Sequence, residues 1–173
     1  PEDWRKFRFI DWGMDHPTVC LWAAISPKNN IYIYDEMEVV GRGADSVAKI
    51  ILGRNKSHNI MSTIMDPSAW RKESDKSSVA ERMQLAGIRG LRPGQKEDRA
   101  GSGASCVKDM LRPFVGTPTL FINPNCERLI AALEGITWDD ELGDDYTDAL
   151  RYGAVFCKGL MSGINYSEIM PTP

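Results

Sequence analysis

The 173-residue sequence predicts an α/β domain with a mixed central sheet: three antiparallel strands open the chain, parallel strands follow, and helices cover both faces. Two observations carry this expectation. The first forty residues hold three strand-forming stretches, the second and third separated by a short turn signal. From residue 45 onward, short apolar runs alternate with segments of helical spacing, the pattern of a sheet covered on both sides.

Taken in order, Phe7–Trp12 alternates apolar and polar residues up to Gly13, and Thr18–Ile25 is a mostly apolar run stopped by Ser26-Pro27. Lys28-Asn29-Asn30 marks a turn and Ile31–Met37 resumes strand-forming residues, so strands two and three form a hairpin. From Asp45, the spacing of Val47, Ile50 and Ile51 predicts a crossover helix with Gly53 near its end. Ile60–Met65 is the fourth strand, closed by Asp66-Pro67. Beyond it the pattern predicts a helix over 78–86, a strand over 88–91, a helix over 105–114, a strand over 119–122, and a helix over 125–135 with Leu129, Ile130 and Leu133 inward. A final helix from about Asp144 to Lys158 buries Tyr146, Ala149, Leu150, Ala154 and Cys157. Residues 89–103, rich in Gly, Lys and Arg, are expected to form a mobile surface loop, with about 1–6 a linker remnant and 163–173 a loose tail.

An apolar fraction of 42% suits one packed core, hence a single domain. The sequence holds no apolar run of about eighteen residues and its first residues do not form a signal peptide, so a soluble intracellular chain is expected. Cys20, Cys106, Cys126 and Cys157 are scattered singly, which favours free thiols over a zinc or redox pair. His16 and His58 have no spaced partner, and neither Gly41-Arg42-Gly43 nor Gly101-Ser102-Gly103 supplies a phosphate-cradling loop, so a histidine metal site and ATP hydrolysis lack support. A net charge of −3 is the wrong sign for gripping nucleic acid over the whole surface; a DNA substrate would need a local basic strip.

Three aspartates stand where such folds place chemistry: Asp11 at the end of strand one, Asp66 just past strand four, and Asp148 on the last helix. Singly, an Asp at a strand end or before Pro serves as a turn or cap. Together, with strands one and four adjacent and parallel and the last helix docked at their C-terminal ends, they form an oxygen-rich site suited to Mg²⁺ or Mn²⁺. Two such ions can activate water and stabilise the departing oxygen in phosphodiester hydrolysis.

The segments Ile10-Asp11-Trp12-Gly13 with His16-Pro17-Thr18, Met65-Asp66-Pro67-Ser68-Ala69, and Asp144-Asp145-Tyr146-Thr147-Asp148-Ala149-Leu150-Arg151-Tyr152 resemble the three acidic motifs of the C-terminal nuclease domain of tailed-bacteriophage large terminases. The resemblance covers nearly the whole chain, and the last segment is its most specific part. It implies an RNase H-like fold, with Asp11, Asp66 and Asp148 as metal-binding and catalytic acids and Mg²⁺ or Mn²⁺, two ions, as cofactor. Family members often carry His where this chain has Asp145, which leaves either Asp144 or Asp145 to assist the metals. Asp15 and Glu36, near the opening hairpin, match the pattern poorly and read as structural. Arg71, Lys72, Lys96 and Arg99, with Arg89, Arg92 and Lys108 nearby, are candidate contacts to DNA phosphates.

The function implied is cutting of concatemeric double-stranded viral DNA in the cytoplasm of an infected bacterium. The implied partners are the terminase ATPase domain, absent from this chain, the portal protein and the small terminase subunit. Competing readings are another RNase H-like nuclease, such as a junction resolvase or transposase, and a non-catalytic docking module whose acids only cap turns.

Overall fold

In the computed structural model, residues 1–54, 59–72, 77–95, 102–135 and 145–163 are described. Strands β1 (Arg5–Asp11), β2 (Thr18–Ile25) and β3 (Ile31–Val39) form the expected antiparallel unit. The β2–β3 turn is closed by hydrogen bonds between Ser26 and both Asn29 and Asn30, with Asn29 at φ 59°, a left-handed conformation that Asn tolerates. Helix α1 (Ala44–Arg54) then crosses over to β4 (Ile60–Met65), which pairs parallel with β1. β5 (Leu91–Pro93) adds parallel to β4, and β6 (Leu120–Ile122) adds parallel to β3 at the opposite edge. The six-stranded sheet therefore runs β5-β4-β1-β2-β3-β6.

Helices lie on both faces. α1 and α2 (Val79–Leu85) cover one, where Ile10, Cys20, Trp22, Met65, Val47, Ile51 and Met83 share a buried cluster. α3 (Ser102–Leu111), α4 (Glu127–Gly135) and α5 (Asp145–Met161) cover the other, packed on Phe7, Phe9, Val19, Leu21 and Ile64. All four cysteines are buried. No helix of the described residues is long and apolar enough to cross a membrane.

The structure corrects several sequence readings. The leading segment expected as a linker is shorter than 1–6, because Arg5 and Lys6 already pair with Ile25 and Ala24 of β2. Ile50 is exposed; the inward stripe of α1 is Ala44, Val47, Ala48 and Ile51, spaced i, i+3, i+4, i+7, and Ile50 lies off it. Ile88 is not in a strand. Gly87 takes φ 110° after α2, and Ile88 N–H donates to the Met83 carbonyl, so Ile88 is the apolar residue of a Schellman helix stop and β5 begins three residues later. α3 starts at Ser102 and ends at Leu111, because Pro113 disfavours helical continuation; Phe114 is fully exposed. The basic loop expected over 89–103 is therefore interrupted by β5 and closed by α3, and its 96–101 stretch, like the 164–173 tail, lies outside the described residues. Within α4, Leu129 is buried and Leu133 packs against the core, whereas Ile130 is only half-buried.

Candidate active site

Period-two alternation along β1 decides where Asp11 points. Phe7 and Phe9 face α3–α5, Arg8 and Ile10 alternate with them, and Asp11 continues the Phe7–Phe9 side. β4 runs parallel in register, Ile10 opposite Met65, and Asp66 N–H donates to the Ile10 carbonyl at 3.3 Å. Asp11 and Asp66 therefore end adjacent strands at the same edge. α5 packs across β1, β2 and β4, and its first turn carries Asp145 and Asp148.

The fields of these acids meet at Asp11. Asp11 is 9% exposed, and burial, reinforced by the charges of Asp148, Asp66 and Asp145, pushes its carboxyl up to about 8; Arg151 opposes the shift. Tyr152, one helical turn beyond Asp148, has its hydroxyl pushed up by burial and then by Asp66, Asp11 and Asp148. Asp66 caps the short 3₁₀ turn Pro67–Trp70: its carboxylate accepts from Ser68 N–H at 2.9 Å and from the Ser68 hydroxyl. Asp148 accepts from Arg151 Nη1 at 2.7 Å.

Among the described residues, the remaining candidates lie at the surface or make other contacts. Asp15 and His16 are exposed in the β1–β2 loop, where Thr18 Oγ1 donates to the Gly13 carbonyl at 2.8 Å. Glu36 accepts from the backbone N–H groups of Arg128 and Leu129, both at 3.0 Å, and so caps α4. Arg71 and Lys72 are exposed just beyond the Asp66 turn, and Lys72 pairs with Glu81 at 2.8 Å. Asp144, Lys96, Arg99 and His58 lie outside the described residues.

No family model and no curated protein matches the chain. Among solved structures, the large terminase of a thermophilic bacteriophage superposes with a TM-score of 0.72 at 16% identity, over 90% of this chain and 41% of that one. The nuclease domain of the P22 large terminase superposes with a TM-score of 0.70 at 16% identity, over 95% of this chain and 88% of that one. The chain has the fold of the large-terminase nuclease domains. It spans less than half of the first of these proteins but most of the P22 domain. The large terminase nuclease of a second thermophilic phage, G20c, solved with bound zinc, superposes with a TM-score of 0.57 at 13% identity, over 88% of this chain and 82% of that one.

On this terminase-nuclease fold, the fit of a divalent cation rests on the donor set. Asp11, Asp66, Asp145 and Asp148 are all carboxylates, the ligands of hard cations, and burial together with their mutual repulsion is strong enough to hold a proton on Asp11. Among the described residues no three donors are gathered into a finished metal cage, and Asp66 and Asp148 are hydrogen-bonded to Ser68 and Arg151. The donor chemistry fits. Sequence reasoning assigns no role to Arg151 or Tyr152, although their offsets of three and four residues from Asp148 place them on its helix face.

A pH dependence follows. Because folding raises the Asp11 pKa above its unfolded value, this group's stabilising contribution is complete below about pH 4 and is lost as pH rises toward about 8. Metal-free protein is expected to lose melting temperature across that window relative to Asp11→Asn, and Mn²⁺ should reverse the loss. Parallel melting curves of the two proteins in chelator would refute it.

Proposed function

We propose that this chain is a metal-dependent DNA endonuclease of a viral genome-packaging terminase, cutting concatemeric DNA by two-metal-ion phosphodiester hydrolysis. The observation that carries the reading is the shared field of Asp148, Asp66 and Asp145 on the buried Asp11, at one sheet edge of a terminase-nuclease fold.

Asp11, Asp66 and Asp148 would hold Mg²⁺ or Mn²⁺, with Asp145 on the same helical turn as a further donor. When bound, such cations supply Lewis acidity that makes water nucleophilic near neutral pH and stabilises the departing oxygen. Asp11, held up to about 8 without a cation, would give up its proton on cation binding, so binding would release protons below about pH 8. Ser68 fixes the Asp66 carboxylate, and Arg151 orients Asp148. The exposed Arg71 and Lys72, beside the acidic edge, would meet DNA phosphates, and Lys96 and Arg99 are assigned the same role. The ATPase domain, portal protein and small terminase subunit are the partners this reading implies, and the host cytoplasm is its compartment.

The direct test incubates the chain with plasmid and with four-way junctions in Mg²⁺ or Mn²⁺. Cutting of duplex that EDTA abolishes is expected; strong preference for the junction would favour a resolvase, and no cutting a docking role. Binding of a catalytically dead variant to unrelated duplexes should be weak and should fall steeply with salt, since a net charge of −3 leaves only local basic groups to release counterions. Lys96→Ala with Arg99→Ala should weaken all duplexes alike. A tight, salt-indifferent complex with one sequence would instead mean that the domain reads bases.

A further inference from the structure

The β2–β3 register shifts at one point: Trp22 pairs with Asp35 and Ala23 with Ile33, leaving Tyr34 as an extra residue. Before this bulge, Ile31 and Ile33 face α3–α5. Unbroken alternation would send Asp35 and Met37 the same way. Beyond the bulge, however, Glu36 lies opposite Leu21 and Glu38 opposite Val19, both residues of the α3–α5 face, while Met37 packs into the α1–α2 cluster. Asp35 correspondingly pairs with Arg54 of α1 at 3.5 Å. The bulge thus redirects two glutamates toward α4 and α5.

Glu36 caps α4 through two backbone N–H groups, and Glu38 forms an ion pair with Arg128 in its first turn. The same Glu38 carboxylate accepts from the Tyr146 hydroxyl at 3.1 Å. Tyr146 is 5% exposed and sits between Asp145 and Asp148 in the first turn of α5. Its ring is held in the core and its hydroxyl is fastened to a strand, so the turn bearing two acids is tied to the sheet that bears Asp11.

We propose that Glu38 and Tyr146 are positioning residues, which through the bulge at Tyr34 hold the acidic first turn of α5 in place for divalent-cation binding. The inference rests on the metal-site reading above. Outer partners that orient ligands typically change metal affinity by about 10–100-fold. Tyr146→Phe deletes only the hydroxyl, Glu38→Ala deletes the acceptor, and Glu38→Gln keeps an acceptor oxygen.

The experiment measures Mn²⁺ affinity by calorimetry and amide exchange of residues 145–148 in metal-free protein. Tyr146→Phe and Glu38→Ala are each expected to weaken Mn²⁺ about tenfold and to speed exchange in that turn, with Glu38→Gln recovering most of the loss. The Glu38→Ala, Tyr146→Phe double variant should be no worse than the worse single, since both cut one link. Wild-type Mn²⁺ affinity in Tyr146→Phe, or a lowered melting temperature with affinity unchanged, would overturn the inference. Asp148→Asn run in parallel separates the two levels: if it too binds Mn²⁺ normally, the metal-site reading itself falls; if it alone loses the metal, only the positioning role does.

Discussion

Changing Asp11 to Asn is expected to lower the metal-dependent nuclease rate by about a hundredfold or more, while raising the melting temperature of the metal-free protein. On the proposed function, the rate loss follows from removing a carboxylate assigned to hold a cation whose charge stabilisation is worth several kcal/mol, each ~1.4 kcal/mol being tenfold. The stability gain has the opposite sign from most substitutions of a buried residue. Asp11 is held up to about 8 by burial and by three neighbouring carboxylates, so at neutral pH the native state either carries an unfavourable charge or must bind a proton. Asn has the same size and no charge, and relief of about 1–3 kcal/mol is expected in chelator. Asp66→Asn and Asp148→Asn should cost similar activity, because their charges act on the same point. Plasmid cleavage with purified variants, paired with thermal melts in EDTA and in Mn²⁺, checks both halves. Full activity in any one variant would remove that residue from the site, and a destabilised metal-free Asp11→Asn would contradict the electrostatic account.

The second large effect is structural. A Cβ added to Gly153 of α5 would lie 2.1 Å from ring atoms of the fully buried Phe9 on β1. Ala ordinarily gains about 1 kcal/mol over Gly inside a helix, and a moderate overlap costs about 1–3 kcal/mol, but here rigid helix backbone meets a ring with no free space. Gly153→Ala is therefore expected to be destabilising by about 2–3 kcal/mol, a fall in melting temperature of several degrees for a chain of this size. It should also push α5 off β1, separating Asp148 from Asp11, so activity falls more than stability accounts for. Phe9→Leu in the same chain should recover part of both losses, giving a favourable coupling in a double-mutant cycle. Gly153→Ala melting at or above the wild-type temperature would show that the helix shifts without penalty.

Gly153 illustrates why part of this molecule is not legible in the chain. Its spacing in the final helix looks like any small inward residue; only the docking of α5 on Phe9 makes a missing Cβ obligatory. The bulge at Tyr34 is similar, since Ile31-Tyr32-Ile33-Tyr34 alternates cleanly and nothing local announces that Glu36 and Glu38 will change face. Ile88 is ambiguous because an apolar residue after a glycine satisfies both a strand and a helix stop, and the choice depends on a hydrogen bond back to Met83.

Local periodicity and chain order carry the rest. The alternation of Phe7, Phe9 and Asp11 sets which side of β1 the first acid takes, and Asp66-Pro67 ends β4. The stripe Tyr146, Ala149, Leu150, Ala154, Cys157 fixes which face of α5 turns inward, leaving Asp148 at its border. No local pattern says that the charges of Asp66 and Asp148 act on Asp11, that Asp145 adds to them, that Arg151 and Tyr152 stand in the same field, or that Tyr146 bonds to Glu38; these follow from the packed fold. The difference is one of range. Side-chain direction within a strand or helix follows from a repeat of two or 3.6 residues, whereas the charge felt by Asp11 comes from groups more than fifty residues away, which meet it only after the sheet pairs and α5 is packed.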